Sequence, residues 1–247
     1  MGIIENAIAA ARKAKARVVL PEIEDERTAE AAARLVSEGL AEPVPLVDPS
    51  EALANILVEA RGVKPAIAQR MIAKPLIRAA AMVAAGDADA MVAGAVAPTR
   101  RVIEAASLAI GLADGIDTAS SFFLMVFPDG REMIFSDCAV AVDPIASELA
   151  SIATASKASA EALLGDARLA LLSYSTGTSG TGPSVEKVSA AAALLAEKGI
   201  PAQGPVQADA ALNPDIAARK GAGAGDANTL IFPDLDAGNI AYKLAQE

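Results

Sequence analysis

The chain contains no histidine. That excludes Ser-His-Asp and Cys-His catalysis and every metal site built on an imidazole ligand. Its one cysteine, Cys138, is too few for an intrachain disulfide or a cysteine-based zinc site, which suits a reducing compartment. Tryptophan is absent and aromatic residues make up only 3%, so stacking on bases or sugars has little support. Positive charge is scarce as well: 21 Lys and Arg stand against 31 Asp and Glu, a formal net charge of -10. Such a surface repels phosphate backbones and argues against a nucleic-acid partner. A phosphorylated small molecule has to be held by local arginines and backbone amides, and a general base has to be Asp, Glu, Lys, Tyr or the lone thiol.

What is present is apolar. The 247 residues are 53% hydrophobic with a mean hydropathy of +0.38, enough to build a core and too much for general disorder. No run is long enough to span a bilayer, because the richest stretch, from Ala79, is broken by Asp87 and Asp89. The start, MGIIENAIAAARKAKARVVLP, mixes Glu5, Arg12, Lys13, Lys15 and Arg17 into its apolar positions. It reads as an amphipathic helix leading into a strand, not as a signal peptide. The expectation is a soluble cytoplasmic protein without a membrane span.

Strand and helix patterns alternate along the chain. Apolar runs predict strands at 17–21, 43–47 and 88–96, with helices at 27–40, across 49–85 as one or two pieces with Pro65 near the start of the second, and at 102–112. A β-hairpin follows, 120–127 with 132–137, turning at Asp129-Gly130. Beyond it the pattern gives a helix at 144–164, a strand at 168–175 and a helix at 184–199. A strand at 205–210, a short helix near Asp215, a strand at 228–233 and a last helix from Gly238 complete the chain. Repeated βα units predict a three-layer α/β/α sandwich in two domains, 1–115 and 116–247, split near Gly115.

The segment SYSTGTSGTGP, Ser173 to Pro183, lies between a predicted strand and helix. Such a loop offers backbone N–H groups and a helix N-terminus to phosphate oxygens, with Ser175, Thr176, Ser179 and Gly180 as candidates. It is neither a P-loop nor G-x-G-x-x-G, and a ligand-free βα turn remains open. Arg100 and Arg101 follow a strand where open α/β sheets bind ligands, and Arg61 and Arg27 are further forks for phosphate; each is otherwise a solvated surface charge. Cys138 has no histidine to activate it and reads as a small buried hydrophobe. Asp209 and Asp234, at strand ends, are either cleft carboxylates or helix caps.

Together, LPEIEDERTAEAA, GDADAMVAGAV, SSFFLMVFPDGREMIFSDCAV, LLSYSTGTSGTGPSVEKV, GPVQADAAL and ANTLIFPDLDAGNIAYKLAQ resemble the phosphate acetyltransferase/butyryltransferase family, in family order over nearly the whole chain. The resemblance implies an isocitrate/isopropylmalate-dehydrogenase-like fold, two domains with a cleft between them, and a homodimer. It implies that CoA or acetyl-CoA serves as substrate, not bound cofactor, that acyl-CoA, phosphate and acyl phosphate are the small-molecule partners, and that no metal takes part. Asp209, Asp234 and Asn239 become cleft candidates, and Arg61 matches the family's E-L-R arginine. Family members carry a CoA-binding Ser-Arg-Gly arginine and a thiol-deprotonating Asp after the GNIAYK helix, and this sequence stops at Glu247, before them. Ala97 replaces the histidine of G-A-x-H-[ST], and Asp236 replaces the Asn of PDLNAGN. Glu104 stands where an arginine is usual, so Arg100 or Arg101 is expected to substitute. A second reading stays open: a catalytically incomplete regulatory or interaction protein that binds acyl phosphate or CoA.

Overall fold

The computed structural model describes residues 2–114 and 116–247. Gly115, the expected split, lies outside the described residues. The chain forms two compact units, Met1–Ala113 and Asp114–Glu247.

In the first unit, α1 (Ile3–Ala14), β1 (Arg17–Val19), α2 (Glu26–Ser37) and β2 (Glu42–Val44) precede α3 (Glu51–Arg61), α4 (Pro65–Ile72), α5 (Pro75–Ala85), β3 (Ala90–Met91) and α6 (Thr99–Ala109). The side chain of Asp25 accepts the Arg27 N–H and caps α2, and Ser50 caps α3 by accepting from Leu53. Region 49–85 is three helices, not one or two. Gly62 closes α3 in the left-handed region, and Pro65 and Pro75 each open a new helix, where a missing N–H costs nothing. The strand expected at 88–96 is only two residues long, because the backbone beyond it turns onto a carboxylate instead of a neighbouring strand.

The parallel sheet runs β2-β1-β3, with Val18 opposite Pro43 and Ala90. Val19 packs into the cluster of Leu53, Leu57, Ile72 and Met82 from α3, α4 and α5 and Ala105 of α6. Leu20, of opposite parity, lines a crevice with Thr28 and Ala31 of α2.

The second unit contains β4 (Phe123–Val126), β5 (Glu132–Ser136), α7 (Ala146–Leu164), β6 (Leu169–Leu172), α8 (Pro183–Glu197), β7 (Ala202–Val206), α9 (Ala208–Leu212), α10 (Pro214–Lys220), β8 (Thr229–Ile231) and α11 (Leu235–Gln246). Its sheet has the order β4-β5-β8-β6-β7, and only the hairpin strand β4 is antiparallel. Strand β6 is buried on both sides. Leu169 and Leu171 pack with Leu149, Ile152, Val188 and Leu195 of α7 and α8. Ala170 and Leu172 pack with Ala210 and Ala211 of α9 and with Ala237 and Tyr242 of α11. Each buried leucine contributes roughly 1.5–3 kcal/mol, so LALL is read from both faces and fixes three layers, α/β/α.

Several sequence boundaries move, two of them at candidate site residues. The strand expected at 205–210 ends at Val206, and Asp209 lies in the first turn of α9. The last helix begins at Leu235, not Gly238, because Asp234 caps it through the Ala237 N–H. No helix among the described residues is long and apolar enough to cross a membrane.

Candidate active site

In the second unit β8 lies between β5 and β6. The chain leaves β5 and β6 for α7 and α8 on one face and leaves β8 for α11 on the other. Neighbouring strands that send their chains to opposite faces open a crevice at their C-terminal ends, which is where open α/β sheets take ligands.

The glycine-rich loop after β6 is built from its own hydroxyls. Ser175, 1% exposed, accepts the Gly180 N–H at 2.7 Å and lies 3.1 Å from the Ser179 hydroxyl. Ser179 Oγ accepts the Thr176 N–H at 3.0 Å. Thr176 Oγ1 accepts the Gln207 N–H at 3.2 Å, tying the loop to the end of β7. The Tyr174 hydroxyl donates to the Thr181 carbonyl at 2.8 Å, and a Cβ on Gly180 would stand 3.3 Å from the Tyr174 ring and 3.2 Å from Ser175. Ser175, Thr176 and Ser179 therefore shape the loop from inside. No side chain caps α8, and Pro183 occupies its start, which leaves the first-turn amides of Ser184 and Val185 and the helix dipole directed outward. Beside the loop is a cavity of about 360 Å³ whose lining includes Thr176, Gly177, Thr178, Gln203, Pro205 and Lys220.

After β5, amides converge on a carboxylate. Asp137, 3% exposed, accepts the N–H groups of Ala139 (2.9 Å), Val140 (3.2 Å) and Ala141 (2.7 Å) and the Ser121 hydroxyl. Cys138 is wholly buried; burial first, and the Asp137 charge second, push its thiol up to about 12. Asn239 Nδ2 donates to the Cys138 carbonyl at 3.1 Å, so Asn239 holds this loop and Asp234 caps α11. Asp209 is an ion-pair partner: Lys220 Nζ lies 2.9 Å and 3.0 Å from its two oxygens. The Lys220 hydrogen bond holds the Asp209 carboxyl below its ordinary value, against a smaller opposing effect of burial.

In the first unit the Glu22 carboxylate accepts four consecutive N–H groups, from Gly94 (2.7 Å), Ala95 (2.9 Å), Val96 (3.3 Å) and Ala97 (2.6 Å). Burial raises its pKa, but the four backbone bonds together outweigh that and hold it below the ordinary 4.5. Arg27 donates to the Ala95 carbonyl at 2.6 Å and pairs with Asp25. Arg61 sends Nε and Nη2 to the Ser107 carbonyl at 2.9 and 2.6 Å, holding the end of α3 to the end of α6. Arg100 and Arg101 both reach Glu104, at 2.9 and 3.2 Å. The two arginines expected to substitute for an arginine at 104 thus share the glutamate that replaced it, and Arg100 remains 88% exposed at its side chain.

Sequence reasoning missed Glu22, Asp137, Tyr174 and Lys220. Glu22 is one of several carboxylates in an acidic run, and only the fold selects it. No group of three or more Cys, Asp or Glu among the described residues is arranged to hold a metal ion.

A family model described as phosphate acetyl/butaryl transferase matches residues 2–57 and 53–247. The phosphate acetyltransferase of Paracoccus denitrificans is 38% identical over 266 residues, spanning 96% of this chain and 84% of that protein. The phosphate acetyltransferase of Haemophilus influenzae is 37% identical over 270 residues, but this chain spans only 38% of its length. Among solved structures, a phosphotransacetylase from Streptococcus pyogenes superposes with a TM-score of 0.90 at 32% identity, covering 99% of this chain and 85% of that one.

Proposed function

Because this chain belongs to the phosphate acetyl/butyryl transferase family, we propose that it moves an acetyl or short acyl group reversibly between CoA and inorganic phosphate: acetyl-CoA + phosphate = acetyl phosphate + CoA. The observation that carries this reading is the contrast among the amide clusters at the strand ends. Glu22 fills one and Asp137 another. At the third, the glycine-rich loop closes its own amides onto the Ser175 and Ser179 hydroxyls and the Thr176 and Pro205 carbonyls, and the start of α8 beside it receives no carboxylate among the described residues. That leaves a place for a phosphate in a protein whose overall charge repels one.

The chemistry follows from what the chain has. In the direction of thioester formation the CoA sulfur attacks the acyl carbonyl carbon, a C–S bond forms, the C–O bond to phosphorus breaks and phosphate departs. The thiol proton passes to a base. Negative charge grows on the carbonyl oxygen and the departing phosphate, where fixed amides and a helix N-terminus are most effective. Cys138 is not an acyl carrier in this scheme, since a buried thiol near pKa 12 supplies almost no thiolate. Direct transfer is what membership of the family implies, and the buried thiol agrees with it. The loop of Ser175, Thr176, Ser179 and Gly180 takes the phosphate end, and Asp209, Asp234 and Asn239 shape the surface of the same unit; in the first unit, Arg61 and Arg100 are the candidate cations for a substrate phosphate. No carboxylate is assigned as the base: Asp209 is paired with Lys220 and Asp234 caps a helix. The same reading makes the protein a cytoplasmic homodimer acting on small molecules, with no metal or bound cofactor.

The test is to incubate the purified chain with acetyl phosphate or butyryl phosphate and CoA, following thioester formation and phosphate release together. Stoichiometric appearance of both products is expected. Binding of both substrates with no thioester formed would sink the reading.

A further inference from the structure

We propose that Glu22 is a positioning residue for substrate binding, acting through the loop that leads into the arginine-bearing start of α6; this role rests on the acyltransfer reading above. Four successive N–H groups aimed at one point make a nest, an arrangement that requires an anion at its centre. Here the anion is part of the chain. Glu22 lies in the turn three residues past β1 and reaches residues 72 to 75 positions away.

Little else holds that loop. Strand β3 stops at Met91, the Val92 N–H makes the last bond back to β1, at the Val19 carbonyl, and no side chain caps α6. Arg27 grips the Ala95 carbonyl at 2.6 Å, while Glu22 takes the Ala95 N–H at 2.9 Å. The peptide groups on both sides of one residue are thus fixed by side chains from the β1–α2 segment. Without the carboxylate, four converging N–H dipoles would be left with no acceptor at their centre, and the loop would splay toward water.

The position of the clasp gives it a functional reach. It closes one side of a crevice of about 240 Å³ lined by Leu20, Glu22, Arg27, Thr28, Val92 and Ala95. Two residues past the nest, Thr99 begins α6, followed by Arg100 and Arg101. A shift of the nest carries these side chains with it, whereas nothing in the sheet below has to move.

The test uses the full chain with Glu22→Gln, Glu22→Ala and Glu22→Asp. Glutamine keeps the shape but brings an NH₂ group against N–H groups. Amide hydrogen exchange at Gly94 to Ala97 should accelerate in the Gln and Ala variants. Calorimetric affinity for CoA or phosphate should weaken on the order of tenfold to a hundredfold. KM should rise while kcat changes little, and Glu22→Asp should recover part of the loss. Unchanged exchange at these four amides, or accelerated exchange with wild-type affinities for both ligands, would overturn the role. Because affinity is read without turnover, a wild-type protein that binds CoA yet transfers no acetyl group would count against the acyltransfer reading, not against the clasp.

Discussion

Gly238 and Asp137 are in contact: a Cβ at position 238 would overlap the Asp137 carbonyl oxygen and come within 3.1 Å of Cys138 Sγ. Helix α11 therefore touches the carboxylate-bound loop after β5 through a residue that has no side chain. Exchanging an interior helical glycine for alanine ordinarily stabilises by about 1 kcal/mol. Here the methyl group meets backbone, and overpacking of this kind costs roughly 1–3 kcal/mol or more. Gly238→Ala is expected to lower the melting temperature, by about 2–4 °C for each kcal/mol lost. A rise in thermal denaturation experiments would show that α11 can lift away freely.

The glycine-rich loop gives a more local prediction. Gly180→Val would press against Ser175 and the Tyr174 ring, 3.2 and 3.3 Å from the added Cβ, and disturb the Gly180 N–H bond to Ser175. KM for acetyl phosphate is expected to rise on the order of tenfold in steady-state kinetics, while the sheet below stays folded. An unchanged KM in a protein of normal circular dichroism would remove the loop from the substrate site.

Acid should release the first unit's clasp. Glu22 has a folded-state pKa below its ordinary 4.5, so the folded state binds the proton less readily than the unfolded one. Its stabilisation is complete above that ordinary value and is lost as pH falls through the lower folded value. Wild type and Glu22→Gln should therefore differ in stability at pH 7 and converge in the acid limb, when both are titrated by thermal denaturation. A gap that persists at the acid end would mean that charge is not what the nest reads.

Cys138 should be silent. Its burial and its raised pKa predict negligible labelling by a thiol-specific disulfide reagent in the native state and stoichiometric labelling in denaturant. Cys138→Ala should retain acyl transfer. Loss of turnover in a stable Cys138→Ala protein would require a thiol step.

How far the sequence reached depended on the range of the interaction. LALL and TLIF read as buried strands because an apolar run between turns is a local signal; Pro65 marks a helix start in the same local way, while the third helix, opened by Pro75, was run together with the second. Strand β3 was overestimated for a non-local reason: its apolar continuation is drawn off the sheet by Glu22, more than 70 residues earlier in the chain. Arg61, Asp234 and Asn239 were visible as polar residues near strand or helix ends. Their bonds to Ser107, Ala237 and Cys138 depend on the geometry of whole elements, which periodicity does not encode.

Strand β8 comes last in chain order among the five described strands of this sheet, yet it lies in its middle, between β5 and β6. Until the ribosome has released residues 229–231, the hairpin β4–β5 and the pair β6–β7 each present a bare edge that nothing upstream can cover. The unit thus assembles by insertion, not by growth from its N-terminal end, and loop closure over nearly a hundred residues precedes its gain in contacts. Nascent chains stalled before Thr229 would expose two sticky strand edges at once, which makes the three buried residues Thr229, Leu230 and Ile231 the checkpoint for solubility during synthesis.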